Sequence, residues 1–347
     1  MRALTIRDQD DSRLSLEEVP EPSRQEDSIL DETVALGVCG TDRKLAERAP
    51  KLPPGRDRLI VGHESLGQVL EAPPGSGFGQ GDLVVGLVRY ADPLPCFFRV
   101  SGEPDMCENG GFTKRSISGR GGFRAERFRL EPENAVRIDR KLGIAGVLLE
   151  PTGIVSNGWE RLDQLVRRPN RALVLGAGPI ALLAALLGVK RGYEVHVMDR
   201  WDHGPKPDQV RSLGATYHTT TATLSKGFDA VLECTGALVG EAVRQTAPAG
   251  TTCLIGDEDL SVSLLEPSEL AHDLVARNKT VVGTASSNRR HFEAAHKVLR
   301  ETDPKWLTGL LGPCVTLEDW LYAFEGSADK IKAVIHFNAA SAFISRN

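Results

Sequence analysis

Hydrophobic and polar positions follow two rhythms along this chain, and the change falls near residue 155. Before it, short apolar runs such as Thr33-Val34-Ala35-Leu36, Gly67-Gln68-Val69-Leu70 and Leu83-Val84-Val85 are divided by Gly, Pro and Asp turns. Short strands with frequent turn residues predict a β-rich region. After it, apolar runs at 172–175, 194–198, 230–232, 252–255 and 280–282 alternate with helical patterns. Strands separated by helices predict βαβ units and a doubly wound parallel sheet. From about His291 a helical spacing, Phe292-Glu293-Ala294-Ala295-His296-Lys297-Val298-Leu299, precedes a last strand-like run, Ala333-Val334-Ile335-His336-Phe337.

One run needs separate treatment. Residues 172–189 carry no charge, and a stretch of about 18 apolar residues approaches a membrane span. Gly176, Gly178 and Pro179 interrupt it, so it reads as a buried strand, a tight turn and a buried helix. At 347 residues, two domains are expected. The composition, 41% hydrophobic and 26% charged, is ordinary for a globular protein. A net charge of −5 without a basic stripe argues against a nucleic-acid partner. The N-terminus lacks the apolar stretch of a signal peptide, and the six cysteines are scattered rather than packed into a disulfide framework. A reducing, cytoplasmic setting is expected.

The interrupting residues carry chemistry. Gly176-Ala177-Gly178-Pro179-Ile180-Ala181 follows one expected strand and opens the next helix, the setting in which a glycine turn brings backbone N–H groups against a pyrophosphate. A second expected strand ends before Asp199, 23 residues after Gly176, where an acid accepts the ribose hydroxyls of NAD. Arg200 follows at once and suits the 2′-phosphate of NADP. The two signals oppose each other, and NAD is favoured over NADP because the acid occupies the hydroxyl-binding place.

Two glycine-flanked segments, Gly37-Val38-Cys39-Gly40-Thr41-Asp42 and Gly62-His63-Glu64-Ser65-Leu66-Gly67, hold a thiol, an imidazole and carboxylates, the donors zinc prefers. Glu150, before Pro151 near the expected boundary, is a candidate further ligand. Taken singly, Cys39 and His63 are ordinary buried residues; the nucleotide fold downstream is what gives them weight.

At these residues the chain resembles the zinc-dependent medium-chain dehydrogenase/reductase superfamily of the alcohol dehydrogenases. The resemblance rests on residues 37–42 and 62–67, on Gly81-Asp82-Leu83-Val84-Val85-Gly86, Glu150-Pro151 and residues 176–181, and on Glu233-Cys234-Thr235-Gly236. Within it the chain is most similar to the glucose (aldose) 1-dehydrogenases, on Glu150-Pro151, Asn278-Lys279-Thr280-Val281-Val282-Gly283, His291-Phe292-Glu293, Cys107-Glu108-Asn109-Gly110-Gly111-Phe112-Thr113 and Gly121-Gly122-Phe123. The resemblance implies an α/β chain with a GroES-like β-rich catalytic domain over 1–155, a Rossmann dinucleotide-binding domain over 156–288 and a return to the catalytic domain over 289–347. It implies one catalytic zinc surrounded by Cys39, His63, Glu64 and Glu150, with Glu64 acting in turnover. Thr41 would bond the reacting hydroxyl, and Asp42 would orient the ligating histidine. Gly176, Gly178, Pro179, Ile180, Asp199, Arg200, Thr235 and Asn278 would hold the cofactor, and Thr41, Lys114 and Glu150 would meet the substrate.

The expected activity is hydride transfer between a sugar or polyol hydroxyl and NAD(P). Two alternatives stay open: a biosynthetic dehydrogenase of an aminocyclitol, polyol or ketone on the same fold, and a non-enzymatic nucleotide-binding sensor. Two departures bear on the choice. The family's structural zinc lobe uses four cysteines, and that frame here reads Pro93, Cys96, Arg99 and Cys107, so no structural zinc is expected. At Lys114 the sugar-oxidising relatives usually carry a glutamate. The expected partner is a small polyhydroxy molecule, with no membrane, and the expected assembly is a homodimer or homotetramer.

Overall fold

The computed structural model describes residues 1–7, 14–24, 27–45, 52–224, 227–256, 267–325 and 330–337. The chain divides into two compact units: Met1–Glu150 with Ser286–Gly326 and Lys332–Asn347, and Pro151–Ala285 with Ser327–Ile331.

The first unit is β-rich, as the short apolar runs predict. Its largest sheet runs Ala135–Ile138, Leu83–Gly86, Glu64–Glu71, Ile29–Gly37, Lys332–His336 and Leu311–Thr316, and Arg127–Leu130 also pairs with Ile29–Gly37. The strand Lys332–His336 enters this sheet antiparallel to Ile29–Gly37, so the last described segment is part of the framework that carries the candidate ligands. Strand alternation, shifted in phase by an irregularity between Thr33 and Ala35, sends Ile29 and Leu36 with Val69 and Val84 into a core shared with Phe123 and Phe128. The two rings pack edge-on with centroids 4.8 Å apart.

In the second unit six parallel strands lie in the order Thr216–His218, Glu194–Met198, Arg171–Leu175, Phe228–Glu233, Thr246–Leu254 and Thr280–Gly283. Numbered by chain position this is 3-2-1-4-5-6, the doubly wound order with its switch point beside Arg171–Leu175. The uncharged run 172–189 is divided between that strand and the helix Pro179–Lys190. The helix is apolar on every side because residues 181–188 are all buried. Trp159, also fully buried, lies against it and donates from Nε1 to Ala184 O at 3.1 Å. A Cβ at Gly188 would come within 2.9 Å of that indole, so glycine here permits the close approach. Among the described residues no helix is long and apolar enough to cross a membrane.

Two elements lie outside the sequence pattern. Thr216–His218 is short, polar and at the sheet edge, so it carries no apolar run. Leu311–Thr316 contains Gly312 and Pro313, which read as a turn, yet it pairs parallel with Lys332–His336 at the end of its sheet, where proline is tolerated.

Candidate active site

Cys39 and His63 reach one place because three backbone segments are stitched together. Phe123 N–H donates to Gly62 O at 2.8 Å, and Arg124 N–H donates to Val61 O at 2.9 Å. Gly62 has φ +85°, and a Cβ there would lie 2.6 Å from Leu36 and 2.9 Å from Arg124 Cβ. A Cβ at Gly122 would lie 2.4 Å from Gly62 O. The glycines thus let the His63 loop pass close to the strand Ile29–Gly37 that precedes Cys39. Cys39 Sγ lies 3.2 Å from His63 Nε2. In a tetrahedral zinc shell a thiolate and an imidazole nitrogen stand about 3.6 Å apart, so this pair is nearly at chelating separation.

Asp42 lies behind them. One ligand atom each from Cys39, Asp42 and His63 falls within 4.8 Å of the others. Asp42 Oδ2 accepts from Cys39 N–H at 3.1 Å and from Arg124 at 2.9 Å, while Oδ1 stands 3.8 Å from His63 Nδ1. That last distance is too long for a hydrogen bond, and both atoms are buried without one. A shift of a few tenths of an ångström would bring them into hydrogen-bond range. Burial works against the charged Asp42, but Arg124 and then His63 outweigh it and hold the carboxyl below its usual range. Arg124 is fully buried and also donates to Gly37 O at 2.9 Å.

Glu64 has a different partner. Lys332 Nζ donates to both its oxygens at 2.6 Å and to Val38 O at 3.3 Å, and both side chains are buried. A Cβ at Gly37 would fall 2.0 Å from Glu64 Oε2, so this conformation needs glycine there. Glu64, expected as a ligand, has both oxygens committed to Lys332 in this structure. Glu150 is the second residue of the helix Leu149–Leu165 and is buried; His63, Glu64, Lys332 and Asp42 all act on it electrostatically. Burial raises its carboxyl to about 7, against partial relief from His63. Burial, then the charges of Asp42 and Glu64, push the Cys39 thiol well up.

The charges in this site leave a specific gap. Asp42 is balanced by Arg124 and Glu64 by Lys332. What remains is the Cys39 thiol, the Glu150 carboxyl and the His63 imidazole, with the two acids both disfavoured as anions. Ionised, they would carry two negative charges, which a divalent cation balances. The donor set of one sulfur, one nitrogen and one oxygen suits zinc with an open position. Thr41, half-buried, is the second residue of the short helix Gly40–Leu45, beside Cys39.

Sequence reading missed Lys332 and Arg124. Each interrupts an apolar stretch, 331–337 and 123–125, and a lone cation inside a buried run is the signal that was available. Lys114 is half-buried on Thr113–Arg115 and stands across the ladder from Arg89. In the 93–107 lobe, Arg99 donates to Asp92 O at 2.8 Å and Pro93 O at 2.5 Å, and its N–H donates to Cys96 Sγ at 3.4 Å.

In the second unit Gly176 has φ +99°, and a Cβ there would lie 2.8 Å from Thr235 Cγ2. Around Gly178 there is open space, and it caps the helix Pro179–Lys190 with no side-chain bond to the first-turn N–H groups. An open helix start after a left-handed glycine fits a pyrophosphate. Asp199 is held to this turn, its Oδ2 accepting from Ala177 N–H at 2.9 Å. Thr235 donates from its N–H and its hydroxyl to Glu233 Oε1 at 2.9 and 2.5 Å. Asn278 is exposed, with φ +52° at the end of the helix Pro267–Arg277, a place that its helix-ending role accounts for.

The fold and site define a zinc-dependent, nicotinamide-linked dehydrogenase of the medium-chain superfamily. Residues 25–140 match the family model for the alcohol dehydrogenase GroES-like domain, and residues 143–337 match that for the glucose dehydrogenase C-terminus. The chain is 34% identical to a glucose 1-dehydrogenase of Methanocella arvoryzae over 98% of this chain and 100% of that one. It is 35% identical to a glucose 1-dehydrogenase of Thermoproteus tenax over 96% and 99%. Glucose dehydrogenase of Haloferax mediterranei, in a complex with NADP, Zn and gluconolactone, superposes with a TM-score of 0.88 at 28% identity over 98% of this chain and 100% of that one. The chain belongs to the glucose dehydrogenase family.

Proposed function

We propose that this chain oxidises an aldose at C1 to the aldonolactone, with Cys39, His63 and Glu150 holding one catalytic zinc and with NAD favoured over NADP. The observation that carries the reading is the charge gap: two buried acids already have buried cations, and the thiol and the carboxyl beside His63 have none. A bound zinc would supply Lewis acidity toward the substrate oxygen, and a bound nicotinamide would be the hydride acceptor. Asp42, fixed by Arg124, sets the ring of His63. Thr41, on the turn fixed by Asp42, presents its hydroxyl to the reacting hydroxyl and takes part in passing its proton on. Glu64, gripped by Lys332, shapes the field of the site. Asp199 accepts the ribose hydroxyls, and Gly176 and Gly178 let the backbone N–H groups approach the pyrophosphate. Glu150 feels His63 and Lys332 against Glu64 and Asp42, but Lys332 is paired with Glu64, so Glu150 is left as the carboxylate for the ion.

The scattered thiols fit a reducing cytoplasm, and the assembly is proposed as a homodimer or homotetramer. The test is His63→Ala, which should abolish metal content and cofactor reduction together; full activity without metal would overturn the reading. A second reading, oxidation of a polyol or reduction of a ketone, is favoured by Lys114 facing Arg89, two cations where sugar-oxidising relatives usually have an acid. Lys114→Glu should then shift kcat/KM toward glucose across a panel of sugars and cyclitols. An equal change for all substrates would remove Lys114 from the substrate site.

A further inference from the structure

Asp199 is not an isolated acid. Besides Ala177 N–H on Oδ2, it accepts Arg200 N–H on Oδ1 at 2.6 Å, and Lys206 Nζ lies 3.8 Å from Oδ2. The side chains of Lys206 and Asp199 are only 12% and 15% exposed, so this ammonium is built into the place rather than sweeping through solvent. Lys206 is the second residue of the helix Pro205–Ser212, which starts after Gly204 at φ +88°. The intervening turn is clamped from the next strand, where Tyr217 Oη donates to Trp201 O at 2.5 Å. The other ionisable groups of the segment face elsewhere. Asp202 bonds His203, Asp208 pairs with Arg211, and the guanidinium of Arg200 lies 5.1 Å over the Trp201 ring.

The geometry points to Lys206 as the residue that sets cofactor selectivity, keeping NADP usable by a chain whose acid favours NAD. This rests on the dinucleotide reading proposed above. A carboxylate at the strand end accepts ribose hydroxyls and repels a 2′-phosphate. An ammonium fixed within 4 Å of that carboxylate offsets the repulsion and leaves the carboxylate's other lone pairs to the hydroxyls. Its effect is specific to the extra phosphate, since a neutral ribose edge gains little from a cation. A purely structural Lys206, tying the helix start to Asp199, would act on both cofactors alike.

The test titrates the full-length chain by calorimetry with 5′-ADP and with adenosine 2′,5′-bisphosphate, which differ in the position of one phosphate and need no turnover. Lys206→Met should weaken the 2′,5′-bisphosphate about tenfold and 5′-ADP by less than about twofold, as expected for one partly screened charge pair. Lys206→Arg should keep the wild-type ratio, and Asp199→Ser should move the ratio the other way. The NADP-to-NAD ratio of kcat/KM should follow the binding ratio. Equal weakening of both nucleotides by Lys206→Met, or no change in either, overturns the assignment. If wild type binds neither nucleotide, the dinucleotide reading itself fails, which is a different result from binding with an unchanged ratio.

Discussion

Replacing Lys332 with methionine keeps the length of the side chain and removes the only cation that contacts Glu64 among the described residues. Three contacts are lost, two to the carboxylate at 2.6 Å and one to Val38 O at 3.3 Å. Glu64 cannot turn away easily, because it lies across Gly37 with its Oε2 in the space a Cβ would take. Breaking a buried pair from one side costs about 3–5 kcal/mol. Lys332→Met with Glu64→Gln removes both charges and should recover most of the loss, because neutral replacements of buried pairs are often tolerated. The measurement is denaturant unfolding in excess chelator, so that no divalent ion covers Glu64. Hydrogen exchange of the Ile29–Gly37 amides reports the first unit separately, since two units need not unfold as one transition. A single variant within about 1 kcal/mol of wild type, or a double variant no better than the single, refutes the reasoning.

Other outcomes follow from the same packing. Arg124→Met should strip Asp42 of its counter-charge, destabilise by about 3–5 kcal/mol and lower zinc retention on dialysis; unchanged metal content would separate Asp42 from His63. Gly62→Ala combines φ +85° with a Cβ 2.6 Å from Leu36, so it should cost at least about 2 kcal/mol and loosen the His63 loop, read by thermal melting. Asp31 is fully buried, both its oxygens lack hydrogen-bond partners, and burial raises its carboxyl to about 7 despite Arg115 and Arg129. Because its folded pKa lies above an unfolded value of about 3.9, stability is lost as pH rises from about 4 to 7; Asp31→Asn should match wild type near pH 4 and exceed it at pH 8 by a few kcal/mol, on the order of three pKa units. Equal pH dependence in the two proteins would rule this out.

Sequence pattern carried most of the second unit. The strand Glu194–Met198 has the predicted bounds, three others contain their predicted runs, and Thr246–Leu254 overlaps the run 252–255 but ends one residue short of Ile255. The inner strands are buried on both faces along their apolar runs, so those runs are continuous and easy to see, while Thr280–Gly283 at the other edge is only partly buried. The edge strand Thr216–His218 is half exposed and polar, and nothing in its composition marks it. At the candidate site the candidate ligands Cys39, His63 and Glu150 were legible because they sit beside glycines or a proline. The counter-ions of Asp42 and Glu64 were not. Arg124 and Lys332 are ordinary residues whose role depends on pairings across 82 and 268 positions of the chain, and spacing carries no information at that range. The same holds for Lys206, whose meaning comes from a helix start folding back onto Asp199.

Lys332 completes the charge balance of the site from far along the chain. Cys39, Asp42, His63 and Glu64 all come from the first part of the chain, where Ile29–Gly37, just before Cys39, pairs directly with Glu64–Glu71, just after His63. The pairing of Lys332–His336 with Ile29–Gly37 places the ammonium against both oxygens of Glu64 and against Val38 O. On the proposed reading the donors left for a metal are the thiol, the imidazole and Glu150, a set that would leave room for a substrate oxygen. That ligand set would then depend on the strand Lys332–His336 through one buried ion pair.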